Sequence, residues 1–246
     1  MIRELIGIDC ACDPRSVGLA RGYIQGHALV VGQVIVGSKS EDISAVVAQW
    51  MLESSGPVLL ALDAPLGWPA PLASALSTHQ AGDYLASDAH TLFRRSTDRF
   101  VRTKVGQQSL DVGADRIART AHLALQLLGN IRARTSETLP LAWSPDYTES
   151  SAIEVYPAAT LRAHGFDPRG YKGKAGEGVR RTYLDRLMEF VQIDAEPRLL
   201  VENADAFDSV ICLLAAADFV RGLCYAPPQP TIARREGWIW VKNGRT

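Results

Sequence analysis

The sequence predicts an α/β protein built on one mixed sheet, three antiparallel strands followed by parallel ones. Three observations carry this. Short apolar runs of strand length recur along the chain; the first three stand at hairpin spacings; and the later two are separated from them by helical patterns, the arrangement that parallel strands require. A chain of 246 residues, 47% hydrophobic and 22% charged, matches an ordinary globular protein and excludes a disordered chain, a fibrous repeat or a disulfide-stapled miniature. At roughly 150 residues per domain, we read 1–246 as one domain with a mainly helical, basic insertion at about 68–145.

Glu4 to Ala11 is a short apolar run broken by one aspartate, suited to a central strand covered on both faces. Val17–Tyr23 and His27–Val36 follow, with Gly26 and Gly37 as punctuation. Glu41–Glu53 places Ile43, Val46, Val47, Trp50 and Met51 on one helical stripe that lies on a sheet, and Gly56-Pro57 ends it. Val58–Leu62 is continuously apolar, as a buried parallel strand is, and stops at Asp63-Ala64-Pro65-Leu66-Gly67. Within the insertion the strongest helix is Arg116–Leu128. Ser151–Pro157 restores a strand, and a helix over Ala158–Ala163 follows the proline. A glycine- and lysine-rich loop, Gly170–Gly178, leads to a helix over Val179–Val191 with Arg180, Arg181 and Arg186 as its basic face. A last helix begins near Asn203-Ala204-Asp205 and runs to Val220, apolar over most of its surface and therefore packed deep. Trp238–Val241 reads as a final edge strand.

Lys and Arg number 26 against 27 Asp and Glu, so no global basic field marks a nucleic-acid binder and any such partner needs a local patch. Cys10, Cys12, Cys212 and Cys224 form neither a disulfide framework nor a zinc pattern, and we expect buried, reduced thiols. The N-terminus runs straight into a strand pattern, and the late apolar run Val210–Ala217 is far short of the roughly 20 residues a membrane span needs. The expected location is the cytoplasm, with no membrane partner.

Acids interrupt apolar segments at Asp9, Asp63, Glu154 and the pair Asp205/Asp208. Burying an unpaired carboxylate costs several kcal/mol, so these residues need counter-charges. Parallel neighbours among the first, fourth and fifth strands bring Asp9, Asp63 and Glu154 to one carboxyl edge. Asp205 and Asp208, at i and i+3, share a helix face. Such an all-oxygen site suits Mg²⁺ or Mn²⁺ and phosphoryl transfer. Structural alternatives stay open: Asp205 as a helix cap, Asp63 as a turn former, and Glu154 paired with an arginine such as Arg162.

Gly7-Ile8-Asp9, Leu62-Asp63-Ala64-Pro65-Leu66-Gly67, Glu154-Val155-Tyr156-Pro157-Ala158 and Asp205-Ala206-Phe207-Asp208-Ser209 together resemble the domain of unknown function 429 family, grouped as predicted RNase-H-like nucleases. The resemblance spans nearly the whole chain. It implies an RNase-H-like fold with helices on both faces of the sheet. It also implies that Asp9, Asp63, Asp205 and Asp208 hold the metal ions, and the last pair looks like the Asp-x-x-Asp of junction resolvases. A fifth-strand acid is not part of the common superfamily set, so Glu154 is expected as an outer ligand or as the group that orients the attacking water.

Between Arg94 and Arg134 nine basic residues stand against three acids, a local balance of +6. Phosphates are the natural partner of such a patch, and Arg95, Arg99 and Arg102 are the expected ligands of a nucleic-acid backbone; solvated helix faces with ion pairs such as Asp98–Arg102 are the alternative. Gly165–Lys172 has the glycine spacing of a phosphate loop, but Tyr171 stands where lysine is needed and Lys172 where serine or threonine is needed, so it is not one. A lid that carries Lys172 and Lys174 to a phosphate remains open. The expected function is therefore a metal-dependent nuclease using Mg²⁺ or Mn²⁺. The rivals are a non-catalytic nucleic-acid or protein binding module on the same fold and an actin-like nucleotide phosphohydrolase.

Overall fold

The computed structural model describes residues 3–113 and 115–244, with the side chains of Asp115 and Lys174 outside the described residues. The opening hairpins form as β1 (Arg3–Asp9), β2 (Gly18–Gln25) and β3 (Ala28–Val36), followed by α1 (Ile43–Leu52) and β4 (Val58–Asp63). Between β4 and the next strand lie α2 (Ala70–Leu76), α3 (Ala89–Phe93), α4 (Ser96–Val105) and α5 (Asp115–Thr135). The chain continues with β5 (Ser151–Glu154), α6 (Pro157–Ala163), α7 (Glu177–Leu187), β6 (Val191–Ile193), α8 (Pro197–Glu202), α9 (Ala204–Val220) and α10 (Pro230–Glu236).

The sheet order is β5-β4-β1-β2-β3-β6. β1, β2 and β3 pair antiparallel, whereas β4 joins β1, β5 joins β4 and β6 joins β3 in parallel. With helices on both faces, this is the RNase-H-like arrangement of a mixed sheet. No helix among the described residues is long and apolar enough to cross a membrane.

Side-chain alternation divides the core. Leu5, Ala20, Leu29, Leu59, Ala61 and Ile153 face α9 and pack against Phe207, Val210, Ile211 and Leu214. Ile6, Ile8, Leu19, Leu60 and Leu62 face the other way, onto Val47, Trp50 and Met51 of α1 and the Ala124, Leu128, Ile131 stripe of α5. Asp42 caps α1 by accepting from Ala45 N at 3.1 Å.

One contact sets the distance between α9 and the sheet. A methyl group at Gly7 in β1 would overlap the Ser209 carbonyl and stand 3.0 Å from Leu213 N, and one at Gly18 in β2 would overlap the Asp205 carbonyl. Glycine at these two places lets the helix backbone lie directly on the strands.

Several elements differ from expectation. β1 stops at Asp9 rather than Ala11, which leaves Cys10 and Cys12 in the following loop. Of the four thiols only Cys212 is buried; Cys12 is exposed and Cys10 and Cys224 are half-buried. The helix expected over Val179–Val191 ends at Leu187, because Val191–Ile193 is drawn off to extend the sheet beside β3, with Leu29 opposite Val191. The expected edge strand at Trp238–Val241 is reduced to an isolated bridge between Ile239 and Glu154. Arg180 does not belong to a solvent-facing basic surface; it is 1% exposed.

Gly7→Ala should therefore destabilise the protein by about 1–3 kcal/mol, the range for overpacking a filled core. Gly129→Ala, in the exposed interior of α5 with nothing within 4 Å of the added carbon, should instead stabilise by roughly 0.5–1 kcal/mol. Urea unfolding midpoints of the two variants check both signs.

Candidate metal centre

β1 and β4 deliver the first two acids together. Their parallel register sets Asp9 opposite Asp63 at the carboxyl ends of both strands, and alternation turns both towards α9. The third comes from that helix. Asn203, not Asp205, caps α9 by accepting from Asp205 N at 2.8 Å and Ala206 N at 2.9 Å, so the capping alternative for Asp205 is not realised. Asp208 then falls one turn inside the helix, on the side lying against Gly7. Each of Asp9, Asp63 and Asp208 offers a carboxylate oxygen, and these oxygens lie within 4.8 Å of one another.

Asp9 is 8% exposed and Asp208 1%. Neither Asp208 oxygen has a directed hydrogen-bond donor among the described residues, although Lys172 Nζ stands 2.7 Å from Oδ2. Burial, then repulsion from Asp208 and Asp63, raises the Asp9 carboxyl well above the usual range. Burial raises Asp63 from 3.8 to about 7, with Asp208 and Glu154 adding to it and Lys172 opposing it. Asp208 is raised by burial, against the pull of Lys172. Burial alone would lower Lys172; the attraction of Asp208, Asp63 and Asp9 outweighs it and raises the ammonium above its ordinary value. One ammonium, on an exposed side chain, thus faces three carboxyls of which Asp9 and Asp208 are buried.

Lys172 is presented by its loop. Gly170 and Gly173 take φ of 76° and 73°, open to glycine at little strain. Arg180 of α7 donates from Nη1 to the carbonyls on either side, Tyr171 O and Gly173 O, and from Nε to Val201 O at 2.8 Å. The buried Tyr171 ring packs on Phe207 of α9 at 5.8 Å between centroids. The lysine side chain itself remains 60% exposed. Lys174, the second lysine expected on this loop, lies outside the described side chains.

The other expected residues separate from this group. Asp205 is half-buried at the start of α9, outside the three clustered acids, and its carboxyl is raised by burial and then by Asp208. Glu154 is turned to the opposite face, because it sits opposite Leu62 rather than Asp63. There it accepts from Leu66 N at 2.9 Å and from Arg95 Nη1 and Nη2 at 2.8 and 2.7 Å. Arg95 is 1% exposed and also grips Asp98, at 3.0 Å. Arg95 is therefore no surface ligand, and both expected ion pairs are corrected: Glu154 takes Arg95 rather than Arg162, and Asp98 takes Arg95 rather than Arg102. Glu236 joins the same assembly by accepting from Ala70 N at 2.8 Å and Ser96 N at 2.7 Å. These bonds tie the insertion to β5 and to the loop after Asp63. Arg99 and Arg102 are exposed, as are Lys104, Arg116 and Arg119.

The donor set fits a hard divalent cation: three carboxylates and, among the described residues, no neutral nitrogen or thiolate ligand in the group. Cys10, next to Asp9, is kept protonated because burial, then Asp63 and Asp9, raise its thiol well above 9.0.

A carboxyl with a raised folded-state pKa contributes stability below its unfolded value, and the contribution is lost as pH rises through the folded value. For Asp63 that window runs from 3.8 to about 7. In chelator, Asp63→Asn should match wild type near pH 4 and exceed it above pH 7 by at least about 3 °C in Tm, the effect of roughly 1 kcal/mol at this chain length; a pH-independent difference contradicts this. Arg95→Met strands Glu154 and Asp98 as buried charges and should lose about 3–5 kcal/mol in denaturant unfolding.

No curated protein matches the chain. The model of the family described as "Protein of unknown function (DUF429)" matches residues 7–232, a span that holds Asp9, Asp63, Lys172 and Asp208, and the chain belongs to that family.

Proposed function

We propose that the protein is a divalent-cation-dependent phosphodiesterase that acts on nucleic acid. The reading rests on the convergence of Asp9, Asp63 and Asp208 from three distant parts of the chain into one group of oxygens, within 4.8 Å, whose charge Lys172 only partly offsets. When bound, Mg²⁺ or Mn²⁺ supplies positive charge to a phosphoryl group as negative charge builds on its oxygens. Asp9, Asp63 and Asp208 hold the ion. Their raised carboxyls release protons as they do so, so binding strengthens with rising pH. The Arg180-braced loop keeps Lys172 Nζ at the rim, where its ammonium meets a non-bridging phosphate oxygen. Arg95, Glu154 and Asp98 take no part in the chemistry; they fix the loop from Asp63 to Gly67. Arg99 and Arg102, with Lys104, Arg116 and Arg119, are exposed on the insertion, and they hold the flanking backbone by salt-sensitive contacts. The reaction adds water across a P–O bond: a water oxygen bonds to phosphorus, the leaving oxygen departs and a proton ends on it.

One observation favours a second reading. Lys172 already stands 2.7 Å from Asp208, and a lysine-neutralised cluster suits a binding module that needs no cation.

Thermal unfolding with and without Mn²⁺, together with cleavage assays on single- and double-stranded DNA, RNA and hybrid, separates the two. The proposal expects Mn²⁺ to raise Tm in wild type but not in Asp208→Asn. It also expects cleavage that falls by at least about 100-fold in Asp9→Asn and Asp208→Asn, the upper end of what lost outer-shell support alone costs a metal site. Nucleic-acid binding without a Mn²⁺ shift or cleavage selects the binding module.

A further inference from the structure

A cavity of about 250 Å³ opens directly beside Asp63 and Lys172. Its walls come from the two proline-bearing strand ends, Ala64-Pro65 and Val155-Tyr156, and from Ile117 on α5. Arg95, Asp98 and Glu154 also line it, but their charges are paired. Arg95 is matched by Glu154 and Asp98, and Ser109 Oγ donates to Asp98 Oδ1 at 2.9 Å. The Tyr156 hydroxyl is likewise engaged, donating to Gln108 O at 3.1 Å and accepting from Gln107 Nε2 at 3.3 Å, which fixes the ring at the wall. The result is a small, largely apolar pocket that Asp63 and Lys172 also line.

From this juxtaposition we infer that the cavity receives a single nucleobase of the substrate, with the phosphate attached to that nucleotide lying over Asp9, Asp63 and Asp208. The inference rests on the phosphodiesterase reading. The cavity's volume, about 250 Å³, lies below the roughly 300–1,000 Å³ of drug-sized sites, so it suits one small planar ring rather than a larger ligand. A paired base is held within its duplex and reaches a side pocket of this kind only once it is unpaired. The substrate class is therefore an unpaired nucleotide, in a single strand or at a frayed end, and the insertion is the wall that makes the selection.

The test is equilibrium binding by calorimetry, with Mg²⁺ present, of thymidine 3′,5′-bisphosphate and of the base-free deoxyribose 3′,5′-bisphosphate. Wild type should prefer the nucleotide by about tenfold or more, within the range of base–aromatic stacking. Filling the pocket with Ala158→Phe should bring that ratio close to one, and Ile117→Trp, from α5, should do the same if the first variant fails to fold by circular dichroism. A wild-type ratio within twofold, no binding of either ligand, or a ratio preserved in a folded filler variant overturns the inference. Because binding is read without turnover, base preference in a protein that cleaves nothing supports the chamber and removes the phosphodiesterase reading alone.

Discussion

The structure depends on the approach of α9 to the β1–β2 hairpin over two glycines. Gly7 and Gly18 leave no side chain between the strands and the Ser209 and Asp205 carbonyls, and that missing layer brings Asp208 down to the level of Asp9 and Asp63. Any larger residue would lift the helix and open the oxygen cluster. The approach is held by an apolar surround: Phe207, Val210, Ile211 and Leu214 of α9 are buried against Leu5, Leu59 and Ala61. Burial of this kind stabilises at about 25 cal/mol per Å² of apolar surface, and it offsets the cost of taking Asp9, Asp63 and Asp208 out of water, the main cause of their raised carboxyls.

Two acidic assemblies sit back to back at the carboxyl edge of the sheet, and they are built to opposite electrostatic ends. On the insertion side Glu154, Asp98 and Arg95 satisfy one another with bidentate geometry, the strong form of such a pair. On the α9 side three carboxyls share one lysine that arrives from a mobile type of side chain on a braced loop. A closed network rigidifies its surroundings, whereas the under-compensated one keeps its carboxyls raised above their ordinary range. Glu154 and Asp63 are separated by one step of strand alternation, and that step assigns one to scaffolding and the other to the cluster.

Much of the frame was legible. The stripe Val47, Trp50, Met51, the continuous run before Asp63 and the apolar α9 each declare their element through periodicity alone, and Asp9, Asp63 and Asp208 were identifiable because a charge inside an apolar run is expensive. The short pieces were not. Val191–Ile193 is three residues long and becomes a strand only because the β3 edge offers it partners, and Trp238–Val241 finds no such ladder. The basic bias of the insertion was real as a count but only in part as a surface: Arg95 is buried, Arg94 pairs with Asp111 at 2.9 Å and Arg134 meets Asp42, whereas Arg99, Arg102, Lys104, Arg116 and Arg119 are exposed. Nothing local distinguishes the first three from Arg102 or Lys104.

By itself the sequence determined the class of fold, the family and the residues able to bear a charge in an apolar setting, because hydrophobic period and the cost of burying ions are properties of neighbouring residues. Which acids meet, and which are silenced, was decided only by tertiary structure. Register placed Asp63 rather than Glu154 beside Asp9, the folding back of the insertion matched Arg95 to Glu154, and Arg180 turned inward to hold Lys172 over the cluster. Coulomb energy and desolvation act between atoms that the chain brings together across its whole length, so their outcome is set by distance in space and not by spacing along the chain.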